Sequence, residues 1–475
     1  MTLSRKPLLT LAAVAAMTAA TACSSSSQKP TTTAAQQATT SASATAADGA
    51  SLPGTPVGAQ ARWLFGAVAH QPVPAAAITA HFDKAFLGKV TPAQLDADLA
   101  GIKTIRLDAI TLSTSETLVM TITVNGSGQQ QVSMAVDAAG LINGLLLQPA
   151  ATPPAIPPAP TTWAAVDRQV SSVAPQVRML VAKVSGNACQ PVQAIDAGTP
   201  APLGSAFKLY VLDALARAVA SGKVSWDQQL TITDQSKSLP SGELQTEPDG
   251  TRVSVRQAAD DMISNSDNTA ANLLIALVGR SAVEAAAAAT GMADPGLDVP
   301  FLTTRELFTL KLIDWPQLAN RYLAQTAAGR QAMLTSTIDR VPYSELTAAD
   351  AAAWTEPRDI DSVEWFASPT DICHVYASLA ALAGSTPDLA PVASALEINN
   401  GDMNLPTSQW RSVWFKGGSE PGVLTLNYLA TTRGGQTYLV SVLAENSKSA
   451  AALAQTPATL TLLSAIKGAF ELAAR

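Results

Sequence analysis

A chain of 475 residues, 47% of them hydrophobic, carries enough apolar material for two folded cores. The formal net charge is −7, charged residues make up only 14%, and there is no basic run, which argues against a nucleic-acid partner. Only His70, His81 and His374 are present, no metal-ligand spacing or glycine-rich phosphate loop occurs, and Gly-x-Ser-x-Gly is missing. Zinc, nucleotide and Ser-His-Asp chemistry are therefore not expected, and no cofactor or metal is implied.

Arg5 and Lys6 precede an apolar run over residues 8–20, too short to span a bilayer and suited to a secretory signal over 1–22. Ala20-Thr-Ala-Cys23 followed by four serines reads as a lipoprotein box, with cleavage before Cys23 and lipid on its sulfur; Ala-Thr-Ala also fits ordinary signal peptidase. The expectation is an exported protein on the extracytoplasmic side, tied to the cell membrane by an N-terminal lipid anchor. Residues 23–57 are rich in Ser, Thr, Ala and Gln and read as a tether that cannot bury enough surface to fold. After export Cys189 and Cys373 remain, free to pair or to stay buried as thiols.

Residues 58–149 begin with helical patterning at 60–69, 75–87 and 92–100. Alternating stretches near 103–112, 117–124, 129–136 and 140–147 follow, with glycine-containing turns between the later ones. Helices followed by a curved antiparallel meander predict an α+β cone of the cystatin or NTF2 type. Its polar residues His81, Asp83 and Asp108 form no convergent acid/base pair and are assigned to surface or packing. Residues 150–162 are Pro-rich and read as an extended, stiff linker.

The last unit, 163–475, carries the chemistry. Gly204-Ser205-Ala-Phe-Lys208 opens an amphipathic helix. A serine there faces unpaired backbone N–H groups and the positive end of the helix dipole, and Lys208 follows at i+3 on the same face. A buried lysine beside a second cation loses its proton easily and could take the one on serine. The plain alternative is a helix cap with a solvated lysine. Ser-x-x-Lys also occurs at Ser26 and Ser464, where the surroundings favour the plain alternative. Downstream, Ser266-Asp267-Asn268 lies in a polar loop between two helices. Lys416-Gly417-Gly418-Ser419-Glu-Pro-Gly422 ends one strand and turns into the next.

The segment from Ser266 through Thr-Ala-Ala-Asn272-Leu-Leu resembles the Ser-Asp-Asn region of class A β-lactamases and their penicillin-binding relatives. The resemblance implies a serine β-lactamase/transpeptidase-like domain, an antiparallel sheet plus a helical region, and a small-molecule acyl substrate: β-lactam-like, ester or cell-wall peptide. It implies catalytic roles for Ser205, Lys208, Ser266 and Lys416, with Ser266 relaying a proton to the leaving group. Asn268, Gly418 and Ser419 would bind substrate, the N–H groups of Ser205 and Ser419 would form the oxyanion hole, and Asp267 would pin the loop. Two features depart from the family. Gly417 stands where Ser or Thr is usual, and the only glutamate between Asn268 and Thr303 is Glu284, inside an Ala-rich helical run. The deacylation glutamate thus reads as absent, so acylation is expected with poor or no classical β-lactamase turnover. The two-domain plan resembles the serine-hydrolase type found in the clavulanic acid biosynthetic cluster. A D-alanyl-D-alanine peptidase and a non-catalytic envelope ligand-binding lipoprotein are the alternatives. Residues 314–364 read as added material, either a rim on the site or a peripheral helical pair.

Overall fold

A computed structural model describes residues 52–113, 117–126, 128–137, 139–149, 156–453 and 456–475. The signal segment, Cys23, Ser26 and most of the tether lie outside the described residues. The chain divides between Pro153 and Pro154 into two compact units.

In the first unit, Thr55 caps the N–H of Gly58 and a proline occupies the first turn, so α1 runs Pro56–Ala69 and starts before the expected residue 60. Val57, assigned to the tether from composition, is fully buried. Helices α2 (Ala75–His81), α3 (Lys84–Leu87) and α4 (Pro92–Leu99) follow. Strands β1 (Ile105–Ser113), β2 (Thr117–Val124), β3 (Gly128–Val136) and β4 (Ile142–Pro149) pair in that order as an antiparallel meander. Alternation puts Leu118, Met120 and Ile122 of β2 on the inner face, against Leu64, Ile78 and Phe82 of the helical segment. His81 stacks on Trp63 at 4.0 Å, Asp83 caps α3, and Asp108 pairs with Arg106 and Thr123.

The second unit opens with α5 (Trp163–Ser171), β5 (Gln176–Ser185) and β6 (Ala188–Ile195). A short strand β7 (Ala201–Pro202) leads into α6 (Lys208–Ala220), and a small ribbon of β8 (Gln229–Thr231) and β9 (Arg252–Ser254) precedes the helical region. That region comprises α7 (Val255–Ser264), α8 (Asn268–Val278), α9 (Arg280–Ala289), α10 (Thr304–Leu312), α11 (Gln317–Leu323), α12 (Ala327–Ser336) and α13 (Ala348–Ala353). Strand β10 (Phe366–Ala367) pairs with β7, then come α14 (Pro369–Ala383) and α15 (Ala390–Glu397). The chain closes with β11 (Trp410–Glu420), β12 (Val423–Thr432), β13 (Thr437–Glu445) and α16 (Thr456–Ala473).

Five antiparallel strands in the order β11-β12-β13-β5-β6 form the sheet, so the first long strand of the unit lies beside the last. β5, β12 and β13 are covered on both faces, which is why they read as nearly continuous apolar runs. Met179, Val181, Val440 and Val442 meet α5 and α16 on one face; Leu180, Ala182, Leu439 and Leu443 meet α6, α8 and α14 on the other. Cys189 of β6 and Cys373 of α14 form a disulfide, closing the question their sequence left open. The later part of the Pro-rich segment is not a free spacer. The carbonyl of Pro157 accepts from Ser464 Oγ, and Pro160 packs so tightly on Gly468 of α16 that a Cβ there would fall 2.4 Å from its carbonyl oxygen.

Candidate active site

The nucleophile turn is held from two sides. Gly204 adopts φ +49° and, with Ser205, Ala206 and Phe207, forms a single 3-10 turn ahead of α6, rather than the regular first helical turn expected. Phe207 stacks on Trp365 at 3.7 Å, and the N–H of Leu203 donates to the Trp365 carbonyl. From the sheet side, Thr425 Oγ1 donates to the Leu203 carbonyl. Gly418 of β11 lies directly against this turn: a Cβ on it would fall 2.1 Å from Leu203 O and 2.6 Å from Ser205 N. A Cβ on Gly204 would fall 2.8 Å from Ser419 N, so the backbones of residues 204–205 and 418–419 run in contact. Gly418 was expected to bind substrate; its bare α-carbon also lets β11 reach the nucleophile turn.

Ser266 sits between α7 and α8 with φ +56°, left-handed for a residue with a side chain. Asp267 holds that geometry. Its carboxylate accepts from the N–H groups of Glu243 at 2.7 Å and Leu244 at 2.9 Å, and caps α8 through Ala270 N at 2.7 Å. The side-chain amide of Asn268 donates to Leu239 O at 2.9 Å. Ser241, which the sequence reading passed over, donates to Ser266 O at 2.7 Å.

Lys208 is fully buried and its Nζ is where the segments converge. It lies 2.5 Å from Ser266 O and 2.6 Å from Asn268 Oδ1, both acceptors only, and 3.2 Å from Ser205 Oγ and 3.1 Å from Ser266 Oγ. In the neutral amine, two N–H bonds would satisfy the two carbonyls and leave the third direction for a lone pair facing the hydroxyls. Burial holds this ammonium well below the usual lysine range; the neighbouring Lys416 charge adds to the effect and Asp267 opposes it. Lys416 Nζ donates to Ser266 Oγ at 3.0 Å and to Gly417 O at 2.8 Å, and burial lowers its pKa to about 7. Asn427 and Ser441 support it across the sheet: Asn427 Nδ2 donates to Lys416 O, and Ser441 Oγ donates to Asn427 Oδ1. Their sequence signal is a polar residue inside an apolar strand.

A Cβ on Gly417 would meet the Phe415 ring at 2.8 Å and Thr425 O at 3.0 Å, so the hydroxyl usual there has no room without displacing Phe415. Glu284 is spoken for: it accepts from Phe301 N at 2.9 Å. Glu306 caps its own helix and pairs with Arg280 at 2.6 Å. The Ser464 copy of Ser-x-x-Lys lies on α16, bonded to Pro157.

Ser205, Ser241, Asn268 and Ser419 share the wall of a cleft of about 340 Å³. Its apolar side includes Phe308, Trp354 and Trp365, so part of the 314–364 insertion is a rim on the site. Glu364 and Glu420 also line it. Both carboxylates engage Lys311 Nζ, Glu420 at 2.5 Å and Glu364 at 3.5 Å, and the sequence reading missed this cluster.

Residues 165–351 match the model of the beta-lactamase enzyme family. The second unit has a β-lactamase-like serine hydrolase fold. Residues 52–142 match a second model, described as the ORF 12 gene product N-terminal family. Among solved structures, the chain is similar to a β-lactamase from Sphaerobacter thermophilus at 20% identity, covering 66% of this chain and 98% of that one, with a TM-score of 0.47. A β-lactamase from Chitinophaga pinensis shows 17% identity over 66% and 98%, with a TM-score of 0.43. A PBP-A mutant solved as an acyl-enzyme complex with penicillin G shows 14% over 66% and 99%, with a TM-score of 0.41. No curated protein matches the chain.

Proposed function

We propose that this protein is an exported serine hydrolase that cleaves ester or amide substrates through an acyl-Ser205 intermediate. One observation carries the reading: the Lys208 amine touches both Ser205 Oγ and Ser266 Oγ while two carbonyl acceptors occupy its other directions. In this scheme neutral Lys208 takes the Ser205 proton as Oγ attacks the acyl carbon. The proton passes through Ser266 Oγ to the leaving oxygen or nitrogen. Lys416, charged below about pH 7, steadies Ser266 and draws a substrate carboxylate. The backbone N–H groups of Ser205 and Ser419 receive the oxyanion, and Asn268 orients Lys208 and the substrate amide.

With Glu284 and Glu306 committed to structural bonds, a penicilloyl-enzyme is expected to deacylate slowly, and small esters are the better substrates. The disulfide supports export, since such bonds persist in oxidising compartments. Lipid attachment at Cys23 belongs to the same proposal; equal palmitate labelling of the wild type and Cys23→Ala would remove it. The proposal extends to a cystatin- or NTF2-like first domain and to the serine-hydrolase type of the clavulanic acid cluster; the division into two units supports it. The separate family match of residues 52–142 supports treating the first unit as a recurring domain.

The test is intact mass after incubation with benzylpenicillin or p-nitrophenyl acetate. A stoichiometric, long-lived penicilloyl adduct on the wild type and none on Ser205→Ala is expected, with a Ser205-dependent nitrophenolate burst from the ester. Penicillin turnover at ordinary β-lactamase rates would contradict the slow-release part. Loss of every Ser205-dependent signal would leave a ligand-binding lipoprotein, and D-alanine release from short peptidoglycan peptides would favour the peptidase.

A further inference from the structure

Resting on the acyl-Ser205 reading, we propose that the carboxyl pair Glu364–Glu420, held by Lys311, is the acid–base group that delivers water to the acyl-enzyme. Both carboxyls line the cleft that Ser205 lines. Each is also one residue from a group that touches the nucleophile turn. Glu420 follows Ser419, whose N–H lies beside Gly204; Glu364 precedes Trp365, whose ring stacks on Phe207. The pair therefore borders the acyl carbon's surroundings through the two elements that hold Ser205 in place.

The charge balance makes the pair reactive rather than inert. Lys311 is fully buried on α10 and supplies one ammonium to two carboxyls whose side chains are 1% and 8% exposed. The other charged groups facing the cluster are Arg358, which donates to the Lys311 carbonyl at 2.7 Å and lies over the Trp315 ring, and the buried Asp298, which accepts from Phe366 N. Two carboxylates beside one ammonium repel, which favours the proton on Glu420. Burial pushes the Glu420 carboxyl well above the usual range, Glu364 pushes it further, and Lys311 opposes. A buried ion pair placed only to tie β11 to α10 would need one carboxylate; the second, Glu364, accepts from the Trp365 N–H at 3.1 Å with Oε1 and turns Oε2 toward Lys311.

In the step proposed, the ionised member of the pair takes a proton from water as the water oxygen bonds to the acyl carbon. The tetrahedral adduct then collapses, the bond from the acyl carbon to Ser205 Oγ breaks, and the carboxyl returns the proton to Oγ. The products are the free carboxylic acid and the serine hydroxyl, and the carboxylate is restored. Planar esters of small acids leave room in the cleft for that water, and these are the substrates the pair would turn over.

The experiment follows p-nitrophenyl acetate hydrolysis by the full-length protein in stopped flow between pH 5 and 9, for wild type, Glu420→Gln, Glu364→Gln and Ser205→Ala. Both glutamine variants are expected to keep a stoichiometric burst while the steady-state rate falls about 100-fold or more, the range for a lost general base. Acetyl-enzyme should accumulate in intact mass, and the acid limb of the steady-state pH profile should disappear. Wild-type turnover in both variants overturns the proposal. So does a fall that leaves the pH profile's shape unchanged, or loss of the burst together with turnover, which assigns the cluster to the scaffold. Absence of a Ser205-dependent burst in the wild type sinks the acyl-serine reading itself, and this inference with it.

Discussion

Lys416→Met is expected to stabilise the protein at pH 6 and to lose that advantage near pH 9. Lys416 is buried and, among the described residues, no carboxylate pairs with it; its bonds go to Ser266 Oγ and Gly417 O. Burial takes its pKa from the ordinary 10.5 to about 7. A displacement of roughly three to four units is worth about 4–5 kcal/mol against the charged, folded form. Below about pH 7 both folded and unfolded chains carry the proton, and the folded state bears that whole cost. Between about 7 and 10.5 the unfolded chain binds more protons, so wild-type stability climbs by about 1.4 kcal/mol per pH unit. Methionine fills similar volume without the charge, but strips Gly417 O of its donor, which returns about 1–3 kcal/mol. The net expectation is a gain of about 2–3 kcal/mol at pH 6, none around pH 9, and a loss above it. Equilibrium urea unfolding with the disulfide intact measures this, because seven of the eight tryptophans lie in the second unit. A difference between variant and wild type that stays flat from pH 6 to 9 would mean the buried amine keeps its proton, and would refute the reasoning. The same variant should lose penicillin acylation, a trade of function for stability.

Gly418→Ala places a methyl group 2.1 Å from Leu203 O, so β11 must part from the nucleophile turn; fluorescent-penicillin labelling should fall at least about 100-fold, and wild-type labelling would contradict the packing. Because burial and the Lys416 charge hold Lys208 well below the usual lysine range, single-turnover acylation by an uncharged ester should rise from acid pH to a plateau reached well before pH 10; a rise still running through pH 10 would exclude Lys208 as the base. Reducing the Cys189–Cys373 bond, or Cys373→Ala, should lower the stability of the second unit by about 2–5 kcal/mol, read as an earlier urea midpoint in tryptophan fluorescence.

What the sequence made legible was whatever sits in a short, patterned window. The two helices flanking the Ser266 loop were readable as such, and strands from apolar runs broken by glycine. Ser205, Lys208, Ser266, Asn268 and Lys416 were readable because they fall in three short motifs, in one order along the chain, that together resemble those of a known family. The structure brings all five around one lysine nitrogen or one serine hydroxyl. The boundary of the first domain was misplaced because composition averages over a window, whereas a single cap at Thr55 decides where a helix begins. The packing of Gly418 on the nucleophile turn was not legible for a related reason: a bare α-carbon announces a close approach without naming what approaches. Lys311, Glu364 and Glu420 escaped altogether. Lys311 reads as an ordinary cation in the last turn of α10, where it complements the dipole, and Glu420 as a polar residue at a hairpin end. Glu364 reads as a charge on the edge of an insertion. Only packing across three distant elements turns them into one buried group with more carboxyls than cations. Groups whose chemistry arises from such a surplus have no local signature, so they are found by counting charges around a cleft rather than by reading along a chain.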